Sequence, residues 1–113
     1  MVDINKLREY GADVDTGLAR CMNNEVFYLK LVVKSLGDNA FDKLNESLDA
    51  NDLDAAFEAA HSLKGVMGNL ALTPIYDPMV EITELLRSRT EMDYSALRNQ
   101  INEKKDELTE LCK

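Results

Sequence analysis

The chain of 113 residues is long enough to bury one hydrophobic core and too short for two, so we expect one domain over residues 1–113. Its net charge of −8, from 21 acidic and 13 basic residues, argues against nucleic-acid binding, which needs a clustered positive surface. No stretch approaches the ~20 apolar residues of a membrane span, and no signal-like start precedes the first charged residues, so we expect a cytoplasmic protein without membrane insertion.

The chain begins with two short predicted helices. The first runs from Asp3 to Tyr10, with Gly11 as its stop. The second runs from Thr16 to Met22, and either Asp13 or Asp15 caps it.

A strong amphipathic pattern follows, from Asn24 to about Asp49. Its apolar residues recur at helical spacing and are Val26, Leu29, Val33, Leu36, Phe41, Leu44 and Leu48. Gly37 and Asp38 weaken the pattern in the middle. Because the same period resumes after them, the sequence favours one long kinked helix over two separate helices.

Three further helices are predicted in the second half of the chain. Their expected bounds are Asn51 or Asp52 to about Leu72, Thr73 to Arg89, and Tyr94 to Cys112. Within the middle one, a second proline indicates firm helical order only from Pro78 onward. Four long helices joined by short connections predict an all-α fold, an up-down-up-down antiparallel four-helix bundle with the two short N-terminal helices packed across one end.

Histidine and cysteine, the usual ligands of zinc sites, are few in this chain. His61 is the only histidine, and Cys21 and Cys112 lie near opposite ends of the chain. Because metal sites need several ligands at close intervals, we expect no bound metal and two reduced thiols. A lone histidine is most often a surface or half-buried residue without a special role.

Two glycines near His61 favour a functional role for it. At roughly 100° per residue, Gly65 and Gly68 lie about 40° and about 20° from His61 around the helix, and Lys64 lies about 60° away. Each glycine costs a helix about 1 kcal/mol relative to alanine. Close helix packing would require glycines that face the core, whereas these face away from it. We therefore interpret them as clearance for a large partner that reaches His61, with Lys64 as a nearby cation or a merely solvated residue.

The segment H-S-L-K-G-V-M-G-N-L, from His61 to Leu70, resembles the signature of histidine-containing phosphotransfer (HPt) domains. In that family the histidine is followed by a lysine, a glycine, a small residue, a polar residue and an aliphatic residue at the spacing of Lys64, Gly65, Gly68, Asn69 and Leu70. The segment from Gly11 to Leu31 also resembles the family. At Ala71 and Leu72 the family often has glycine instead. This difference affects only the expected position at which the helix bends or ends.

The resemblance implies a phosphorelay carrier in which His61 accepts a phosphoryl group from the aspartate of one receiver domain and passes it to another. Lys64 would stabilise the phosphate. The implied partners are response-regulator receiver domains and a hybrid histidine kinase, with Mg²⁺ bound by the receiver. A family glutamine that hydrogen-bonds the histidine matches Thr83, with Arg87 one turn further, and a plain surface role for both stays open.

The sequence contains no glycine-rich nucleotide loop and no acidic cluster committed to Mg²⁺, so we expect no kinase activity and no cofactor of its own. Two alternatives to a free-standing monomeric carrier stay open. One is a non-catalytic helical adaptor that binds partners through its surface and never carries phosphate. The other is the HPt module of a larger sensor kinase.

Overall fold

The computed structural model describes all 113 residues and contains seven helices and no strand, which confirms the predicted all-α class. The helices are α1 (Ile4–Tyr10), α2 (Val14–Arg20), α3 (Glu25–Ser35), α4 (Ala40–Asp49), α5 (Leu53–Asn69), α6 (Thr73–Arg87) and α7 (Ser95–Leu111). None of them has both the length and the hydropathy that crossing a bilayer requires.

In four of these helices the side chain of the N-cap residue itself bonds the first turn. The Asp3 carboxylate accepts a hydrogen bond from a backbone N–H in the first turn of α1, and Asp13 does the same for α2. Asn24 caps α3, and Asp52 caps α5 through the Ala55 N–H at 3.1 Å. Each cap accepts a hydrogen bond from a backbone N–H that has no partner inside the helix. Polar residues just before an amphipathic pattern therefore predict where a helix starts.

Five helices end in the same hydrogen-bonded turn. One or two positions past the end of each of these helices a residue has a positive φ, and these residues are Gly11, Met22, Asn51, Ala71 and Arg89. The next residue then donates its N–H to a carbonyl five residues back, as Leu72 does to Met67 at 2.9 Å. This arrangement satisfies carbonyl groups that the helix leaves free, and only the first of the five turns uses glycine.

The prediction of one long helix from Asn24 to Asp49 is wrong, because a turn over residues 36–39 separates α3 from α4. In this turn Gly37 donates its N–H to the Lys34 carbonyl, three residues back. The Asp38 carboxylate then accepts a hydrogen bond from the Ala40 N–H at 2.9 Å, which starts α4. The glycine has low helix propensity, and the aspartate offers the backbone a local partner that competes with a continuous helix.

The expectation that α6 is firm only from Pro78 is also wrong, because the helix starts at Thr73 and continues through both prolines. Pro74 occupies the second helical position, where an N–H has no partner inside the helix. Pro78 removes one later donor, but its ring is buried, and burial of apolar surface acts against that loss.

Helices α4 to α7 form the bundle, and contacts at both ends of α5 and α6 show that these two neighbours run antiparallel. Between α5 and α6, Asp54 pairs with Arg89 at 3.1 Å near one end, and Tyr76 packs on Gly68 near the other. Between α4 and α7, Asn45 and Asn102 exchange amide hydrogen bonds of 3.1 and 3.3 Å. Apolar side chains from all four helices fill the space between them.

The two N-terminal helices cover the end of the bundle where α5 turns into α6, as predicted. The Asp13 N–H donates to the Ala71 carbonyl at 3.0 Å, and the Tyr10 hydroxyl donates to the Lys104 carbonyl at 2.7 Å. Gly17 lies against a buried tyrosine of α3, so a Cβ at this position would stand 2.6 Å from that ring. These contacts fix the end of α5 and therefore the register of the residues along it.

Candidate functional site

His61 stands at the midpoint of the 17-residue helix α5 with its side chain exposed to solvent. The buried face of this helix is made by Ala56, Ala59, Ala60, Leu63 and Met67. These residues pack α5 against α4 and α6, so the opposite face is presented to solvent. The helical period predicts this exposure, because it depends only on which side of α5 meets the core.

An aromatic ring one turn before His61 holds the imidazole. The Phe57 and His61 rings are stacked, with centroids 5.6 Å apart and planes inclined by 19°. The Arg87 guanidinium lies over the same Phe57 ring, 5.0 Å from its centroid. Phe57 has no role in the sequence-based predictions, although its spacing of four residues from His61 puts both side chains on one helix face.

Lys64 lies one turn after His61 and is partly exposed. No ion pair in the structure involves it, so its ammonium group is not neutralised by a carboxylate of this chain. Residues three positions apart are neighbours on a helix surface, so this ammonium group can reach a group added to the imidazole.

The space beside Gly65 is open. Apart from the adjoining residues and the backbone of α5 itself, a Cβ placed on this residue would have no heavy atom within 4 Å, which is consistent with the predicted clearance beside His61. An open groove continues from Gly65 between α5 and α3, where its lining includes Leu31, Ser35 and Val66. A partner surface can therefore approach the backbone of α5 along this groove.

Gly68 does not provide clearance, and here the prediction is wrong. A Cβ on Gly68 would stand 2.8 Å from the ring of Tyr76, so the glycine serves close packing between α5 and α6. Helical angles describe only the axis of α5, whereas Tyr76 reaches Gly68 from the first turn of the next helix. The period of one helix carries no information about that neighbour.

Thr83 does not support the imidazole, contrary to the prediction from the family resemblance. It is fully buried, and its hydroxyl donates to the Met79 carbonyl of the same helix at 2.6 Å. Arg87 also makes no hydrogen bond to His61 and contacts Phe57 instead. Its guanidinium pairs with Glu84 at 3.4 Å and reaches the site only through Phe57.

No group of three or more histidine, cysteine, aspartate or glutamate side chains is placed to hold a metal ion. Both cysteines have free thiols. The site thus consists of one exposed imidazole, a stacked aromatic ring, a free ammonium group and an open stretch of helix backbone.

Comparison with known protein families assigns this helical protein to a class. The family model of the Hpt domain matches residues 31–112, which include His61 and all four bundle helices. The chain therefore belongs to the Hpt domain family. Comparisons with curated proteins and with solved structures gave no match.

Membership of this family defines the general activity. Hpt domains act in histidine phosphotransfer within phosphorelay signalling, as phosphocarriers rather than kinases. They interact with response-regulator receiver domains and with histidine kinases. The match begins at Leu31, so α1, α2 and the first turns of α3 lie outside it.

Proposed function

We propose that His61 is the phosphorylated residue of a phosphorelay carrier formed by residues 1–113. One observation carries the proposal: the only histidine in a chain of the Hpt family is exposed at the midpoint of a bundle helix. Phosphoryl transfer requires that the accepting imidazole project from the surface of the carrier and enter the pocket of the partner. A histidine buried in the bundle would be unable to do so.

The proposed reaction needs a neutral imidazole and an activated phosphoryl donor. The Nε2 lone pair attacks the phosphorus of a receiver's aspartyl phosphate, and a P–N bond forms as the P–O bond to the aspartate breaks. The leaving electron pair returns to the aspartate carboxylate, while the proton on Nδ1 stays on the ring. Transfer to a second receiver reverses these steps. Mg²⁺ held by the receiver would offset the phosphoryl charge, so the carrier needs no metal of its own.

Lys64 is proposed to hold the phosphoryl group once it is on His61. Its ammonium group is free of carboxylate partners and can donate a charge-assisted hydrogen bond to a phosphoryl oxygen. Such bonds contribute about 1.5–3 kcal/mol when well formed and less where water screens them.

The receiver is proposed to dock over Gly65 and the adjoining groove between α3 and α5. This side of α5 offers bare backbone next to the histidine, and the groove combines a few apolar side chains, such as Leu31 and Val66, with polar and charged ones that a partner can contact. Docking here brings the rim of the receiver's pocket within reach of His61 without displacing a side chain at Gly65.

Transfer of labelled phosphoryl groups from a phosphorylated receiver tests the proposal. The wild type is expected to gain an acid-labile label that His61→Gln lacks, and Asn99→Gln, on the exposed face of α7, serves as the control that transfers normally. Undiminished labelling of His61→Gln would overturn the assignment. Receiver binding without any transfer to the wild type would instead support the adaptor alternative.

A further inference from the structure

We propose that Phe57 is a positioning residue for His61 and that Arg87 holds Phe57 in place from the neighbouring helix. This inference rests on the proposed phosphorylation of His61 and names the contacts that orient its imidazole. It concerns an aromatic and a guanidinium group, neither of which reacts with the phosphoryl group.

The stack with Phe57 is the contact that orients the imidazole. The His61 side chain is exposed and makes no hydrogen bond or ion pair in the structure, so nothing polar fixes its rotation. The centroid distance of 5.6 Å and the angle of 19° lie within the range of favourable aromatic pairs. An exposed side chain without such a contact would sample several rotamers.

Stacking suits a phosphoryl acceptor better than a hydrogen bond would. The lone pair of Nε2 lies in the plane of the ring, whereas Phe57 contacts the face of the ring. The imidazole is therefore oriented without engaging either nitrogen, and the attacking edge stays free. A hydrogen bond to Nε2 would have to break before each transfer.

Arg87 connects this arrangement to α6. Its guanidinium carbon lies 5.0 Å from the Phe57 centroid, within the distance of a cation–π contact, and its Nε pairs with Glu84 at 3.4 Å. Phe57 is only half-buried, so packing in the core alone does not fix its ring. The guanidinium group limits the motion of the Phe57 ring. The orientation of the imidazole therefore depends on α6 as well as on α5.

Orientation of this kind changes the rate of transfer rather than the affinity for the partner. In-line attack requires that the nucleophile point along the breaking bond, and a freely rotating imidazole would spend less time in that direction. The receiver is proposed to dock over Gly65, one turn after His61. Phe57 lies one turn before His61, outside that docking surface. Loss of the stack should therefore lower the transfer rate at saturation and leave the receiver concentration for half-maximal rate nearly unchanged.

Nuclear magnetic resonance of the single histidine tests whether Phe57 orients the ring. In the wild type the imidazole C–H resonances are expected to carry a ring-current shift from Phe57, which Phe57→Leu should remove and Phe57→Tyr should retain. Because the chain has one histidine, these resonances need no assignment among several. Identical imidazole shifts in the wild type and Phe57→Leu would overturn the inference. This measurement does not depend on phosphorylation.

Single-turnover transfer from a saturating phosphorylated receiver tests the consequence for the reaction. Phe57→Leu is expected to transfer about threefold to tenfold more slowly, and Phe57→Tyr at nearly the wild-type rate. Arg87→Gln should show a smaller loss that Arg87→Lys partly restores, with Glu84→Gln as the control for the surface ion pair. Circular dichroism confirms that each variant is folded.

The outcomes separate this inference from the proposed function. A wild type that transfers, together with a Phe57→Leu variant that transfers equally fast, overturns the positioning role alone. Equal losses in the leucine and tyrosine variants also overturn it, because they indicate disturbed packing. A wild type that accepts no phosphoryl group overturns the proposed function itself.

Discussion

At the scale of single residues, the exposure of a side chain along one helix was predictable from the sequence, whereas its contacts with a second helix were not. The exposure of His61 follows from the period of α5, and the open space at Gly65 agrees with it. The buried hydroxyl of Thr83 depends on how α6 rotates against the core, which spacing along α5 does not record. The stack with Phe57 was within reach of the sequence, because a spacing of four residues places two rings on one face.

Lys64→Gln tests the proposed stabilisation of phosphohistidine. Removal of the ammonium group should shift the equilibrium of phosphoryl groups from the carrier toward the receiver by about threefold to tenfold, which corresponds to a screened charge-assisted hydrogen bond. The fraction of label on each protein at equilibrium measures this shift. Lys43→Gln, an exposed lysine on α4, is the matched control. An equilibrium equal to that of the wild type would exclude the proposed contact.

At the scale of helices, the starts were more predictable than the interruptions. Asp13, Asn24 and Asp52 cap helices at or next to the predicted positions, because a capping side chain acts on backbone donors within three residues. The break between α3 and α4 was missed, since the apolar residues on both sides keep a helical spacing across it. When the spacing of apolar residues continues unchanged across a turn, hydrophobic periodicity does not reveal that the helix is interrupted.

The same substitution should affect stability differently at the two glycines of α5. Gly65→Ala adds a methyl group in open space within a helix, so the free energy of unfolding should rise by about 1 kcal/mol. Gly68→Ala forces the Tyr76 ring to move and should be about 1–3 kcal/mol less stable than Gly65→Ala. Urea denaturation of both variants measures the difference. Equal stabilities would show that Tyr76 does not restrict position 68.

Met22 offers a test of the turns that end the helices. It has a φ of 58° and is 87% exposed, so glycine at this position removes backbone strain with little loss of apolar burial. We expect Met22→Gly to raise the free energy of unfolding by about 1 kcal/mol. Met92 is also exposed but has no positive φ, so Met92→Gly should give no gain in the same thermal or urea unfolding experiment. A gain at both positions would rule out relief of strain as the cause.

At the scale of the whole molecule, composition and amphipathic pattern predicted a helical bundle, but the contacts that close it were not predictable. The exchange of hydrogen bonds between Asn45 and Asn102 joins helices that lie far apart in the sequence. Tyr28 likewise joins α3 to the end of α5 by donating its hydroxyl proton to the Leu70 carbonyl at 2.8 Å. Neither pairing follows from local spacing, because each requires knowledge of which helices become neighbours.

The contact of Tyr28 predicts how stability depends on alkaline pH. Burial, with smaller contributions from Cys21 and Asp13, raises the pKa of Tyr28 from 10.0 to about 12. The folded state therefore favours the neutral phenol, and the stability that it contributes is complete below pH 10 and is lost as the pH rises toward 12.

Tyr28→Phe isolates this effect from the other tyrosines. Near neutral pH the variant should be less stable than the wild type by about 1 kcal/mol, because the hydrogen bond to Leu70 is lost. Above pH 10 the wild type should lose this advantage by roughly 1.4 kcal/mol per pH unit, so the difference crosses zero before pH 12. Urea unfolding of both proteins from neutral pH to pH 12 measures this difference in stability. A difference that stays constant with pH would contradict the assignment.

The most direct test of the proposed function is the chemical identity of the phosphorylated atom. After transfer from a phosphorylated receiver, heteronuclear magnetic resonance of the uniformly ¹⁵N-labelled protein reports on its one imidazole. We predict a phosphorus–nitrogen coupling at Nε2 of His61 with the bundle otherwise unchanged. Incorporation of phosphorus into the protein with an unmodified His61 imidazole would contradict the proposal.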